Sequence, residues 1–291
     1  MTSENVTTKD KVMNVVFIAA TAVSIIAVAL ICFFVFSTAI PTIAQIGLSD
    51  FVLGDLWKPS KGVYGILPMI AGSIYVTIGA AVLGVPIGVL AAVFMVFYCP
   101  KSIKHYIQAG INLLAGIPSV VYGLWALEEI VPLIRGLFGG YGLSIGAAMV
   151  LLGVMILPTI ISLSQSAIAA VPRHFYEGAV GLGATKERAI FTVVIPAASS
   201  GVLSSIIMGI GRAIGETMAV TMVIGNAPMF PNSLWGMGRT LTTNITTEMA
   251  YAGGLHRESL VATGAVLFVF ILIINLLFNL TKNSGKGKED A

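Results

Sequence analysis

Six long apolar segments separated by short polar loops constrain this chain more than any other feature of its sequence. A helix needs roughly 20 mostly apolar residues to cross a bilayer, and its backbone must satisfy its own hydrogen bonds there. We therefore predict an all-α, polytopic membrane protein with six transmembrane helices. The predicted spans cover residues 12–40, 66–98, 107–137, 143–170, 196–227 and 260–280.

The composition is typical of a membrane protein and argues against a soluble domain or a nucleic-acid-binding protein. Hydrophobic residues make up 57% of the chain and charged residues 10%, whereas a soluble domain carries about 25% charged residues. The net charge is only +3 and no basic run is interleaved with aromatic residues, so nucleic acid is not an expected partner. The first apolar segment exceeds the roughly 7–15 residues of a secretory signal, which predicts a retained anchor.

The distribution of Lys and Arg predicts the orientation of the spans, because cytoplasmic loops carry the excess of these residues. With the N-terminus in the cytoplasm, ten of them lie inside, five lie outside and Arg212 lies within a span. We therefore predict a multi-pass protein of the cell membrane, embedded in lipid, with both termini cytoplasmic. The charged tail "TKNSGKGKED" is predicted to be disordered.

Two outer loops are long, at residues 41–65 and 228–259. The second is rich in Pro, Asn, Gly and Thr, and we predict that it forms ordered turns or a short helix able to meet an external partner. We find no internal repeat in the chain, which counts against many secondary transporters.

Small residues and prolines interrupt the spans. "GVPIG" at residues 84–88 and "GRAIG" at residues 211–215 both space two glycines four apart, a pattern that allows helix backbones to approach closely, although ordinary packing explains them equally well. Pro86, Pro118 and Pro158 each remove a backbone donor and predict a bend.

The inner loop "AVPRHFYEGAVGLGATKERAIFTVVIPAA", residues 170–198, contains recognisable helix start, stop and capping signals. Pro172 suits a helix start, Gly183 suits a left-handed helix stop, and Thr185 can cap a second helix. These signals predict two short helices joined at a glycine on the cytoplasmic membrane surface. They fit either a knob gripped by a soluble partner or a plain amphipathic interfacial loop.

This loop resembles the signature loop of binding-protein-dependent ABC importer permeases. Glu177, Ala179, Gly183 and Pro196 fall in register with that signature. The departures are Gly178 in place of Ala, Val193 in place of Ile and Ile195 in place of Leu. Gly178 is expected to loosen the first helix by about 1 kcal/mol relative to Ala.

The resemblance implies a MetI-like permease fold with six transmembrane helices and a cytoplasmic coupling-helix loop at residues 171–195. This loop would belong to a permease core of residues 66–280, preceded by an anchor helix and first outer loop (1–65) and followed by a charged cytoplasmic tail (281–291). The residues implied to contact an ATPase are Arg173, Glu177, Gly178, Ala179, Gly183 and Ala184.

Three further segments resemble one branch of that family, the phosphate permeases. They are "LAGIPSVVYG" (114–123), "LPTIISLSQSAIAAVPR" (157–173) and "GIGRAIGETMAVTMVIGN" (209–226). The last, followed by Gly-Arg-Thr-Leu at 238–241, resembles the PstC-type subunit. This resemblance implies an importer of inorganic phosphate that pairs the chain with a PstA-type sister permease, two copies of a cytoplasmic ATP-binding subunit and an extracytoplasmic phosphate-binding protein.

Several motifs are absent from the sequence. No G-x-x-x-x-G-K-[ST] occurs, so ATP hydrolysis is expected on a partner, and no enzymatic activity or cofactor is expected here. His105, His174 and His256 lie in three different loops, which predicts no metal cluster. Two alternatives stay open: a self-contained ion-coupled anion transporter or channel, and an ABC permease for another oxyanion such as molybdate or sulfate.

The stretch "GRAIGETMAV", residues 211–220, places two opposite charges within the fifth predicted span. A charge at the centre of a membrane helix costs at least about 2.5–3.5 kcal/mol on insertion scales, so such residues face a cavity or each other. Arg212 and Glu216 are four apart, which predicts that they share one helix face. We interpret Arg212, Glu216 and Thr217 as lining a substrate path, with a self-neutralising ion pair as the alternative.

Overall fold

The structure is a computed structural model that describes residues 8–286, with side chains described for residues 12–277. Helices dominate it, as predicted. In chain order the helices are α1 Thr8–Ile46, α2 Leu48–Val52, α3 Leu67–Val93, α4 Lys101–Gly116, α5 Ser119–Glu128, α6 Ile130–Phe138, α7 Ile145–Ala169, α8 Arg173–Gly181, α9 Lys186–Ala189, α10 Ile195–Ala197, α11 Ser199–Gly215, α12 Met218–Val223, α13 Leu241–Glu248 and α14 Leu255–Lys286. Two π-helical turns, Phe94–Tyr98 and Ile190–Val194, follow α3 and α9.

Four helical stretches of the described chain are long and apolar enough to cross a bilayer by themselves: Val12–Ile46, Leu67–Tyr98, Ile145–Ala169 and Leu255–Leu277. Two bent helix pairs are long and apolar enough only when each is taken together, Lys101–Gly116 with Ser119–Phe138 at 95° and Lys186–Ala197 with Ser199–Gly215 at 72°. The spans number six if each bent pair counts as one. The bend predicted at Pro118 is confirmed, since the third span breaks there, whereas the break in the fifth span was not predicted.

Helix α7 lies at the centre of the molecule and packs mainly against α3 and α11. The approach to α3 depends on "GVPIG": a Cβ at Gly84 would lie 2.7 Å from the Ile156 side chain, and one at Gly88 would lie 2.7 Å from Ile160. This motif therefore does bring two backbones together. A Cβ at Gly211 or Gly215 would meet nothing within 4 Å, so the two glycines of "GRAIG" approach no described part of this chain closely, although Ala213 and Ile214 between them are buried.

The third span breaks between α4 and α5 at Pro118. Ile117 adopts an extended conformation and Pro118 becomes the N-cap of α5, because the residue before a proline is pushed out of the helical region. The Tyr122 hydroxyl donates to the Leu114 carbonyl at 2.9 Å across the break. That bond satisfies one of the carbonyls left open at the end of α4.

The first outer loop is more ordered than the sequence indicates. Helix α1 continues through Pro41 to Ile46, and a two-stranded antiparallel hairpin, β1 Trp57–Lys58 and β2 Val63–Tyr64, follows with Trp57 opposite Tyr64. The second outer loop contains α13, which confirms the predicted short helix. At the other end, α14 continues to Lys286 instead of ending at residue 280, and residues 287–291 of the predicted disordered tail lie outside the described residues.

Candidate functional site

The inner loop folds as the sequence predicts. Pro172 is the N-cap of α8, and Gly183 has φ of +90°, the left-handed conformation that glycine adopts without steric cost. Thr185 caps α9, since its hydroxyl accepts the Arg188 backbone N–H at 3.3 Å. The loop is therefore a helix, a left-handed turn and a second helix.

Helix α8 projects from the body of the protein, and none of its residues is buried. Its predicted partner contacts Arg173, Glu177 and Gly178 are exposed, as is Gly183 in the turn, while Ala179 and Ala184 are half-buried. Apolar side chains on the same projection are also exposed, Phe175 at 43% and Leu182 at 92%. A short helix that leaves both charged and apolar groups uncovered is suited to docking another protein.

The fifth span breaks directly after the Arg212 stretch. Helix α11 ends at Gly215, Glu216 is extended (φ −70°, ψ 126°), and α12 begins at Met218. The prediction that Arg212 and Glu216 share one helix face is wrong. Gly215 is a poor helix former, and Glu216 can satisfy freed backbone groups, which favours a break here.

Glu216 and Thr217 cap the break with their side chains. Glu216 Oε1 accepts the Ala219 N–H at 3.3 Å at the start of α12, where a negative charge is favourable. The Thr217 hydroxyl donates to the Gly215 carbonyl at 3.2 Å. The Thr242 hydroxyl donates to the Glu216 carbonyl at 3.3 Å, so the break is tied to the start of α13.

Arg212 contacts α7 and makes no ion pair with Glu216. Its Nη1 donates at 3.3 Å to the hydroxyl of Thr159, the residue that follows Pro158 in α7. The Arg212 side chain is exposed in this chain, and the described residues give it no ion pair. Met208, Arg212 and Gly215 are all exposed and line one side of α11 at helical spacing.

The two predicted sets of residues are far apart along the fold. Arg212 lies 13 residues after Ser199, so it is about 20 Å along α11 from that helix's inner end. The coupling residues lie together on α8 and its turn, whereas Arg212, Glu216 and Thr217 lie at the broken end of α11. The structure therefore separates the predicted docking loop from the charged residue near the broken end of α11.

A buried polar cluster in the outer region was not predicted. Glu248 at the end of α13 pairs with Arg239 and with His256 Nε2 at 2.8 Å, and it accepts the Trp57 Nε1–H at 2.9 Å. Arg239 Nη1 also donates to Asn244 Oδ1 at 2.9 Å. The cluster thus joins the β1–β2 hairpin to the start of α14 through a single carboxylate.

The environment of Glu248 favours its charged form. Burial by itself raises the pKa of this carboxyl, but the hydrogen bonds from Trp57, Arg239 and His256 and the charge of Arg239 outweigh burial, and the pKa lies below its ordinary value. The sequence contains one signal for this cluster, since Arg239 and Glu248 are the only charged residues of the stretch 228–255. Trp57 is 191 residues away from Glu248, and no spacing rule reaches that far.

Residues 84–283 match the family described as the binding-protein-dependent transport system inner membrane component. The chain belongs to this family. Its members are permease components of transport systems, so the expectation of a membrane transport subunit is confirmed at that level. The matched residues include α7, the inner loop with α8 and α9, and the broken fifth span.

Relatives of this binding-protein-dependent permease support the same assignment. A probable ABC transporter permease protein, YqgH of Bacillus subtilis, is 41% identical over 237 residues, covering 78% of this chain and 77% of the relative. The phosphate transport system permease protein PstC of Haemophilus influenzae is 35% identical over 82% of this chain and 83% of its own length. A probable PstC of Methanocaldococcus jannaschii is 31% identical over 91% of this chain and 90% of its own length.

Solved structures share the permease fold. A bacterial ABC transporter that imports the acidic polysaccharide alginate matches with a TM-score of 0.64 at 14% identity, covering 94% of this chain and 99% of that chain. The inward-facing MetNI methionine ABC transporter matches with a TM-score of 0.62 at 19% identity, covering 79% and 99%. These likenesses confirm the predicted MetI-like fold.

Proposed function

We propose that this chain is the PstC-type permease subunit of an ATP-driven importer of inorganic phosphate. The observation that carries the proposal is the position of Arg212, a cation without an ion pair among the described residues, exposed beside a helix break in an apolar region. Several relatives are named phosphate transport permeases, which supports phosphate as the cargo.

The chemistry of Arg212 suits an oxyanion. A guanidinium presents a planar set of N–H donors that matches two phosphate oxygens at once, and it stays charged at any physiological pH. A charge within a membrane helix is too costly to face lipid, so the Arg212 face of α11 would face a cavity or a partner. We infer that this face looks onto the substrate path.

Glu216 and Thr217 would complete that position. The Glu216 carboxylate lies in the break itself, where it accepts the Ala219 N–H, and it would weaken anion binding without forming an ion pair with Arg212. Conduction requires that an ion bind firmly enough to enter and weakly enough to leave. Thr217 adds a hydroxyl at the same break, where the chain has no regular helix to satisfy backbone groups.

The chain supplies half of such a transporter. The open space at Gly211 and Gly215 would receive a PstA-type sister permease, with the path between the two. Helix α8 and the Gly183 turn would seat one of two cytoplasmic ATP-binding subunits, with both chain termini on that same side. The outer hairpin and α13 would meet an extracytoplasmic phosphate-binding protein.

Reconstitution in lipid vesicles tests the proposal. The chain, the sister permease, the ATPase and a phosphate-loaded binding protein should together import phosphate when ATP is supplied on the α8 side. The chain with the ATPase but without the sister permease should import none. Uptake by the chain alone would contradict the proposal and favour an ion-coupled transporter or channel.

Competition tests the cargo. Excess arsenate, which has the geometry and charge of phosphate, should compete for uptake, whereas sulfate and molybdate should not. If sulfate or molybdate uptake exceeds that of phosphate with the matching binding protein, the ABC importer assignment stands and the phosphate assignment is wrong.

A further inference from the structure

Lys186, at the first position of α9, contacts the end of a different membrane span. Its Nζ donates to the Phe97 carbonyl at 2.8 Å and lies 4.0 Å from the centroid of the Tyr98 ring. Both contacts are made to the π-helical turn Phe94–Tyr98 that ends the second span. One ammonium therefore joins the inner loop to α3, 89 residues earlier in the sequence.

Each contact has a physical reason. The Phe97 carbonyl belongs to the last turn of its span, where carbonyls have no partner within the helix and a cation is favourable. The face of an aromatic ring attracts a cation within about 6 Å. The two contacts together hold the ammonium more firmly than a single exposed ion pair would be held.

Other contacts around Lys186 strengthen the same junction. The Tyr98 hydroxyl donates to Glu187 Oε1 at 3.4 Å, and the rings of Phe97 and Tyr176 are 5.6 Å apart. Val93, Ile190 and Val194 are buried in one apolar cluster, with Phe97 and Tyr176 packed against it. Both π-helical turns contribute to this cluster, and such turns occur often at functional sites.

We propose that Lys186 is a positioning residue that transmits movement of the inner loop to α3. The proposal rests on the proposed function, in which an ATPase moves α8 and α9. From α3 the close packing at Gly84 and Gly88 leads to α7, and Thr159 of α7 holds Arg212. The contact at Lys186 is thus the first step of a continuous packed route from the docking loop to the charged position.

The test uses the complete reconstituted transporter and measures phosphate imported per ATP hydrolysed. Lys186→Met keeps the length of the side chain and removes the ammonium. We expect ATPase binding and ATP hydrolysis to persist while the transport ratio falls about tenfold, the loss typical of a charge-assisted hydrogen bond and a cation–π contact together. Lys186→Arg, which keeps both kinds of contact, should restore the ratio.

Two further variants separate this role from simpler ones. Arg188→Met removes the same charge from the same helix. The described residues give the Arg188 guanidinium no hydrogen bond or ion pair, so the ratio of phosphate imported to ATP hydrolysed should stay near wild type in this variant. Tyr98→Leu removes the ring contact but leaves the Phe97 carbonyl, so it should lower the ratio by less than Lys186→Met does.

Three outcomes would overturn the proposal: an unchanged ratio in Lys186→Met, an equal loss in Arg188→Met, or loss of ATPase binding in Lys186→Met. The last would make Lys186 part of the docking surface. Failure of the proposed function is distinct, because the unmodified transporter would then import no phosphate at all.

Discussion

Arg212 of α11 and Thr159 of α7 are joined by a hydrogen bond of 3.3 Å between the guanidinium and the hydroxyl. The bond crosses between the two helices close to the end of α11, which stops three residues after Arg212, and one residue after Pro158 of α7. Arg212 is thereby held toward α7 instead of toward Glu216. Among the described residues, the Arg212 guanidinium makes no other hydrogen bond, and its remaining donors would be available to an anion in the proposed path.

Arg212→Gln should abolish phosphate uptake while the transporter still assembles, because the amide cannot supply the charge that attracts an anion. Arg212→Lys keeps the charge but not the planar fork, so we expect it to retain only a small fraction of uptake. Uptake of radiolabelled phosphate, with assembly checked by co-purification, measures both. Restored uptake in the Arg212→Gln, Glu216→Gln double variant would contradict a role in the path.

Gly183→Val should uncouple ATP hydrolysis from transport. Valine at φ of +90° is strained, by roughly 1–2 kcal/mol or more, so the turn between α8 and α9 should open. The matched control is Gly181→Ala, where an added Cβ meets nothing within 4 Å and φ is not positive. Wild-type uptake by Gly183→Val would show that the turn does not need its left-handed residue.

Gly84→Ala should destabilise the isolated chain, because its Cβ would lie 2.7 Å from Ile156 and 2.8 Å from the Gly153 carbonyl. Overpacking of this kind typically costs about 1–3 kcal/mol. Gly211→Ala has open space and should leave the thermal midpoint of the isolated chain unchanged. Equal midpoints for the two variants would mean that α3 and α7 do not approach as closely as described.

Glu248→Gln should destabilise the outer region, because it leaves Arg239 buried without a countercharge. Breaking a buried ion pair from one side typically costs about 3–5 kcal/mol. Denaturant unfolding in detergent, followed by Trp57 fluorescence in a variant lacking Trp125 and Trp235, would measure the loss. Glu258→Gln, at an acidic residue of α14 without a described ion pair, is the control and should change stability little.

Acidification should remove the same stabilisation in the unmodified protein. The pKa of Glu248 is lowered in the folded state from 4.5, so its contribution is complete above that value and is lost as the pH falls through the lower folded pKa. The thermal midpoint should therefore fall more steeply below about pH 4.5 in wild type than in Glu248→Gln. Parallel pH curves for the two proteins would contradict this linkage.

The sequence by itself determined the class of fold and the local form of the inner loop. Long apolar runs permit little besides membrane helices, because the backbone must satisfy its hydrogen bonds internally. The turn at Gly183 and the cap at Thr185 were predictable because both depend on interactions within a few residues. The resemblance of the loop to a signature then identified the family.

Only the tertiary structure decided where the charged residues point. A spacing of four residues predicts a shared face only if the helix continues, and α11 ends between Arg212 and Glu216 because the caps at Glu216 and the contact from Thr242 stabilise the break. Lys186 on Phe97 and Trp57 on Glu248 join segments distant in sequence. Such contacts depend on how the helices pack against each other, and the sequence pattern within one helix does not determine that packing.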